Sequence, residues 1–263
     1  MRENEEVAMK LVAKYTDLPL PKVFPEDSAY FTSVGILAMS RISGSPLNAS
    51  WDGLDEHTKE RVCIDIWNLV AKIRTIPKQP EFSHLFQCSA DGTSTTFDPL
   101  LDDLRNSKIS TPPDVLLEDA TMKARICQRF PDMSHVFDVA ADSSMIFTPT
   151  PLKDDTAVRA RIYQRYLYYN GRLHAEDLPT MLPRSDLSVF THADIAPRNI
   201  MVDQTHRITG ILDWERAGWY PDYWEYINIW KPSIDDDWQT WMDRTAPRKW
   251  DCSGINAARR VLF

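Results

Sequence analysis

Apolar residues recur at helical spacing between Glu3 and Tyr15, where Val7, Leu11, Val12 and Tyr15 share one face, and Pro19 and Pro21 forbid continuation. The pattern then shortens. Residues 22–24 and 34–39 read as two short strands joined by a polar connection through Pro25, Glu26 and Asp27, and Ser43-Gly44-Ser45-Pro46 breaks the chain after them. A long helix follows, with Val62, Ile66, Leu69, Val70 and Ile73 as its buried stripe and Pro77 as its stop. From 78 to 118 the periodicity is lost. Gly92 lies in a Ser/Thr-rich stretch and Pro112-Pro113 comes later, so loops are expected over a core built elsewhere. Residues 119–130 (DATMKARICQRF) and 155–166 (DTAVRARIYQRY) resemble one another and predict two Arg-rich helices, short of the three or more copies that define an array.

Composition narrows the class without naming a function. A chain of 263 residues with 43% hydrophobic content is long enough to bury a sizeable core. A net charge of -8 argues against a sequence-independent grip on nucleic acid or on an anionic membrane, which needs clustered Lys and Arg. Cys63, Cys88, Cys127 and Cys252 have no close paired spacing of the zinc or redox kind and read as reduced thiols. The first residues carry no apolar core of signal-peptide type, and no stretch is long and apolar enough for a bilayer span, so a cytoplasmic, soluble protein is expected.

Chemistry concentrates between Phe190 and Tyr226. Residues 200–203 and 208–212 are strand-like runs separated by Gln204-Thr205-His206-Arg207, which predicts a hairpin. Asn199 and Asp213 are equally far from His206, so antiparallel pairing brings an amide oxygen and a carboxylate to one end of the ribbon, where they can share a hard cation such as magnesium. Asp194 stands five residues before Asn199 and two after His192, in a loop stiffened by Pro197. That is the spacing of a kinase catalytic loop, in which the Asp accepts a hydroxyl proton, the Asn helps hold metal, and a later Asp bridges metal to ATP phosphates.

His192-Ala193-Asp194, Asn199 and Ile211-Leu212-Asp213-Trp214-Glu215 resemble the catalytic and metal motifs of the aminoglycoside-phosphotransferase and choline-kinase superfamily, and Gly-Trp-Tyr-Pro-Asp-Tyr-Trp-Glu-Tyr at 218–226 resembles its fungal branch. Ala193 stands where that family usually has Gly. The front of the chain carries a weaker likeness: Glu5, Ala8 and Met9 resemble the helix whose Glu pairs an ATP-binding Lys, Pro19 to Val23 the following strand entry, and residues 36–44 the hinge. The resemblance implies an α+β, protein-kinase-like fold with a truncated small lobe (1–44: one helix, two strands, hinge) and a mainly helical large lobe (45–263). It implies ATP and Mg as cofactors, Ser40, Arg41 and Ile42 beside the adenine, Asn199 and Asp213 on the metal, and Asp194 as base with His192 buttressing the catalytic loop. It also implies a glycine-rich hairpin and a Lys-bearing strand ahead of Glu5. There is no room for them here, and none of the eight glycines forms a Gly-x-Gly pair.

Three functions remain open at this stage. The chain transfers the γ-phosphate of ATP to a metabolite hydroxyl; or it is a biosynthetic enzyme whose opened cleft takes another small molecule and no ATP; or it is an inactive, pseudokinase-type binding protein. A homodimer, or a longer parent chain, would supply what is missing. Glu5 reads as a solvated acid in a first helical turn. Seven of nine tryptophans fall between Trp214 and Trp250 and are expected to pack the core, while Asp235, Asp236 and Asp237 read as solvated loop rather than as a pocket for an amine.

Overall fold

Helix α1 (Arg2–Tyr15) buries Ala8, Met9, Leu11 and Val12, while Val7 of the expected face is half-buried and Tyr15 is exposed, and Thr16 closes the helix by returning its N–H and its hydroxyl to the carbonyl of Val12 at 2.9 and 2.8 Å. The computed structural model describes residues 2–24, 37–96, 98–101, 120–131, 150–231 and 236–262. Beyond α1 the chain pairs Val23 with Met39 in one antiparallel bridge, flanked by Phe24 N–H to Ala38 at 2.9 Å and Ser40 N–H to Lys22 at 2.8 Å. The two expected strands therefore meet, although 25–36 lies outside the described residues.

Strand β1 (Ser45–Pro46) precedes helix α2 (Glu56–Ile73), which Asp55 caps by accepting the N–H of Thr58 at 2.7 Å. Its core face adds Cys63 and Trp67 to the anticipated stripe, and Leu69 is only half-buried. The stretch 78–118 is less of a surface loop than its composition suggests. Its strand β2 (Cys88–Ser89) pairs with β6 (Gly218–Pro221), and Leu100 and Leu101 are buried; 102–119 lies outside the described residues. Helices α3 (Ala120–Arg129) and α4 (Asp155–Tyr168) are the two similar segments. The short α5 (Leu178–Met181) follows α4.

Two small antiparallel sheets then organise the centre. Strand β3 (Ser188–Thr191) completes the order β2-β6-β3, and β4 (Ile200–Val202) with β5 (Ile208–Ile211) completes β1-β4-β5. Helix α6 (Trp224–Ile229) follows β6, α7 (Asp236–Thr245) packs on α2, and α8 (Ser253–Leu262) packs on α4 and α5, giving an α+β arrangement. The tryptophans cement this half: Trp214, Trp219 and Trp224 are almost wholly buried, Trp224 stacks on Tyr220, and Trp67 ties α2 to α7 by donating to the carbonyl of Met242 at 3.0 Å. Asp236 and Asp237 are exposed, as a solvated run would be, but they open α7 rather than a loop; Asp237 accepts from Trp51 Nε1 at 2.9 Å and from Lys59 at 2.7 Å, and Asp235 lies outside the described residues. All four cysteines are free, and no described helix is long and apolar enough to cross a membrane.

The two faces of α2 make the packing measurable. Ile66 is fully buried and Ile64 is 44% exposed. Ile66→Ala should cost about 2–5 kcal/mol in urea denaturation, while Ile64→Ala should stay within about 0.5 kcal/mol. Equal effects would mean that the helix presents a different face to the core.

Candidate functional site

The β4–β5 hairpin sets the geometry. Its turn is held by Asp203, whose carboxylate accepts the N–H groups of Thr205 and Arg207 at 2.7 and 3.0 Å. The register differs from a ribbon symmetric about His206. Ile200 faces Ile211 and Met201 faces Gly210, but Val202 faces Ile208, so Thr209 is an extra, bulged residue. The turn centres on Thr205, with the Asp203 N–H on the Arg207 carbonyl at 3.0 Å, and the bulge recovers one of the two positions lost, so Asn199 is opposite Leu212, whose N–H it receives at 2.9 Å, rather than opposite Asp213. Asp213 returns to the same end by turning: its φ is +66°, and the Asn199 side chain and the Asp194 carboxylate both act on its carboxyl.

Asp194 joins them. Asn199 Nδ2 donates to the backbone oxygen of Asp194 at 2.9 Å and to its carboxylate at 3.2 Å, which leaves the amide oxygen as the acceptor this side chain can offer a cation. Burial raises the Asp213 carboxyl above its ordinary range, and the negative charge of Asp194 adds to the rise. A carboxyl raised by burial and by a neighbouring carboxylate is a position where a cation is favoured. Among the described residues no group of three or more His, Cys, Asp and Glu could hold a metal alone. An amide oxygen and one carboxylate fit Mg, which keeps waters and phosphate oxygens for its remaining positions.

His192 is fully buried and works as a strut. Nδ1 accepts the N–H of Asp194 at 3.2 Å, Nε2 donates to the carbonyl of Leu212 at 3.0 Å, and the ring lies edge-on to Trp214. Burial pushes its pKa down to about 4, against the Leu212 bond and the Asp194 charge. A neutral ring joins the catalytic loop to the strand end that carries Asp213. Ala193 beside it has φ +65°, the left-handed region that favours glycine, which accounts physically for the glycine usual at this position in the resembled family.

Several residues that spacing alone did not single out complete the site. Glu225, buried within α6, accepts the N–H of His192 at 2.8 Å and that of Ala193 at 3.2 Å. Burial raises its pKa, and those two N–H groups, Arg74 and Lys231 oppose the rise. Its signal in the sequence is an acid set in the apolar run Tyr223-Trp224-Glu225-Tyr226-Ile227, where a buried charge needs partners. Arg198, Lys231 and Arg216 surround the Asp194 carboxylate at 2.5, 3.6 and 3.8 Å. Burial would raise Asp194, but these three cations outweigh it and hold the carboxyl below its usual range.

The front of the chain closes over the same place. Asn4 donates to the carbonyls of Glu215 and Ala217 at 2.9 and 2.8 Å. Glu5 is not the solvated acid that its position suggests: it is half-buried and accepts a backbone hydrogen bond from Trp214, and burial with the charges of Asp213 and Glu215 raises its pKa. Of the hinge residues, Ser40 accepts the N–H of Lys22 on its hydroxyl at 2.8 Å, Arg41 is exposed, and Ile42 lies so close to Gly210 that a Cβ there would come within 2.8 Å of it. Ile42 thus lies against β5.

A model of the phosphotransferase enzyme family matches residues 2–250. Among solved structures, the chain is similar to the aminoglycoside phosphotransferase APH(2'')-Ib bound to ADP, with 12% identity, a TM-score of 0.52, and coverage of 99% of this chain and 70% of that one. It is similar also to the gentamicin complex of APH(2'')-IIa, with 11% identity, a TM-score of 0.50, and coverage of 98% and 69%. At such identity these likenesses establish the fold. No curated protein matches the sequence.

The strut gives stability a pH dependence. An unfolded imidazole protonates near 6.5 and the folded one resists to about 4, so stability present above pH 6.5 is lost as pH falls toward 4, by on the order of 3 kcal/mol. Urea denaturation at both ends of that window should show the loss, and His192→Gln should shrink it; an unchanged pH difference would mean that His192 is not held neutral. Ala193→Gly should raise stability by about 1 kcal/mol through relief of the left-handed backbone.

Proposed function

The chain belongs to the phosphotransferase enzyme family, and from that membership we propose that it transfers the γ-phosphate of ATP to a hydroxyl of a small molecule, with Asp194 as base and Asn199 and Asp213 as metal holders. The observation that carries this reading is the cluster at the end of the β4–β5 hairpin, where Asn199 bonds to Asp194 and Asp213 lies close enough for the charge of Asp194 to act on it. Residues 1–44 then act as the small-lobe side of the cleft, with Ser40, Arg41 and Ile42 beside adenine, and 45–263 as the large lobe.

In this reading Asp194 receives the proton of the acceptor hydroxyl as its oxygen bonds to the γ-phosphorus. The bond from that phosphorus to the bridging oxygen of ADP breaks. A carboxylate held below its usual range is a weak base, which suits a loose phosphoryl-transfer transition state that asks mainly for an oriented hydroxyl. Magnesium bound by Asn199 and Asp213 would neutralise phosphate charge. His192 and Glu225 fix the backbone that aims Asp194, so they are positioning residues.

Calorimetric titration with ATP and Mg should give saturable, Mg-dependent binding that Asp213→Ala abolishes. Asp194→Asn should keep nucleotide binding and lower turnover roughly a hundred- to ten-thousand-fold. No binding of ATP at millimolar concentration would overturn the reading in favour of a cleft that takes another small molecule.

A further inference from the structure

The side chain of Asn4, in the first turn of α1, bridges two distant stretches of backbone. Its Nδ2 donates to the carbonyls of Glu215 and Ala217 at 2.9 and 2.8 Å, and its Oδ1 accepts the N–H of Ala90 at 2.9 Å. Two carbonyls at one end of the amide and an N–H at the other leave it only one way round. The partners belong to one ladder. Strand β2 pairs with β6 as Cys88 with Trp219 and Ser89 with Gly218, so Ala90 and Ala217 are the next pair in that register. Direct pairing stops there, and the amide of Asn4 stands in for a peptide group between the two backbones.

What leaves the ladder at this point is the turn 214–217, which runs back to Asp213. Every carbonyl in it has a donor: Trp214 receives the N–H of Ala217 at 3.0 Å, Arg216 receives the Tyr220 hydroxyl at 3.1 Å, and Glu215 and Ala217 receive Asn4. Ala217 and Tyr220 belong to the same stretch of chain, so through these carbonyls it is Asn4 that ties the turn to the rest of the molecule. Asp213, at φ +66°, is then held from both sides: His192 grips the Leu212 carbonyl before it at 3.0 Å, and Asn4 grips the turn after it. The same helical turn sets Glu5 where the charges of Asp213 and Glu215 act on it. Seating α1 therefore gathers acids around Asp213, and a cation there offsets their repulsion, so cation binding and the Asn4 clamp favour one another.

We propose that Asn4 is the positioning residue for Asp213: its amide sets where the turn 214–217 leaves the sheet, and so holds the Asp213 carboxylate where it takes a divalent cation beside Asn199. The inference rests on the proposed role of Asn199 and Asp213 as metal holders.

Manganese in place of Mg tests it on the full chain, with and without ATP, free Mn being counted by electron paramagnetic resonance. The binding that Asp213→Asn removes identifies the site. Asn4→Ala should weaken that binding at least about fivefold, and so should Asn4→Asp, which keeps the acceptor for Ala90 but loses both donated bonds. Near-UV circular dichroism checks that both variants are folded. Val12→Ala, at a fully buried position of the same helix, should stay within about twofold however far it lowers the urea midpoint, which separates positioning from stability. Amide exchange in the unaltered chain needs no variant, and it decides alone if the variants do not fold. Saturating Mg, with and without ATP, should slow NMR-detected exchange of the Ala90 N–H relative to that of Gln87, which bonds to Leu152 at 2.9 Å. Folded Asn4 variants that lose less, an equal loss in Val12→Ala, no Asp213-dependent site in the unaltered chain, or unchanged relative exchange at Ala90 would overturn the proposal. A Mn site lost with Asn4 in a chain that binds no ATP removes the phosphotransfer reading alone; ATP and Mn binding untouched by Asn4→Ala removes the clamp alone.

Discussion

The carboxylate of Glu225 is the constraint on which the site depends. It lies inside α6, out of reach of water, and receives the backbone N–H groups of His192 and Ala193. A buried carboxylate without donors would be expensive, and so would two buried N–H groups without an acceptor; each satisfies the other, at about 1.5–3 kcal/mol for a hydrogen bond to a charged group. The clamp also holds Ala193 in a left-handed conformation that alanine does not adopt readily. From there the order propagates: the His192 ring reaches Leu212, Leu212 pairs with Asn199, and Asn199 holds Asp194. The helix that carries the carboxylate is fixed in turn by Arg259 of α8, which donates to Ile227 and Asn228 at 2.6 and 3.0 Å.

A second set of ties brings the first forty-odd residues onto this frame. Asn4 grips the turn after Asp213, Ile211 donates its N–H to Pro19 at 3.1 Å, and the bulged Thr209 donates its hydroxyl to Ser43 at 2.6 Å. Gly44 is needed at the crossing, with φ +105° and the carbonyl of Val202 where a Cβ would stand. The bulge has a structural use: it shifts the register by one residue and turns Thr209 onto the crossing segment.

Local patterns were legible in the sequence, and long-range partners were not. Helices α1 and α2, the β4–β5 hairpin and the grouping of Asp194, Asn199 and Asp213 follow from periodicity and from distances of fewer than twenty residues. The turn centres on Thr205 and not on His206, and the bulge at Thr209, which has no marker in the residues around it, makes up only half of that offset, so counting from His206 placed Asp213 one position away from its observed register. Glu5 looked solvated because its partner, the backbone of Trp214, lies more than two hundred residues away. Asp237 looked like loop because Trp51 and Lys59 are equally remote in sequence. Arg198 was in plain view at four residues from Asp194, but its meaning depends on Arg216 and Lys231, which only the packing of α6 and the turn before β6 brings alongside.

That convergence bears on how one aspartate can hold an acceptor. Three cations near a carboxylate weaken it as a proton acceptor, so Asp194 is better suited to orient a hydroxyl than to remove its proton early. Orientation is the larger part of the task where the bond to the leaving group breaks before the new one is well formed. In the proposed transfer, a proton passed from the hydroxyl to Asp194 would neutralise the carboxylate charge that holds the three cations, while negative charge would move onto the transferring group. Cations already fixed at 2.5 to 3.8 Å from that carboxylate need little rearrangement to meet it, which is the condition under which fixed charges stabilise a transition state more than they stabilise bound substrate.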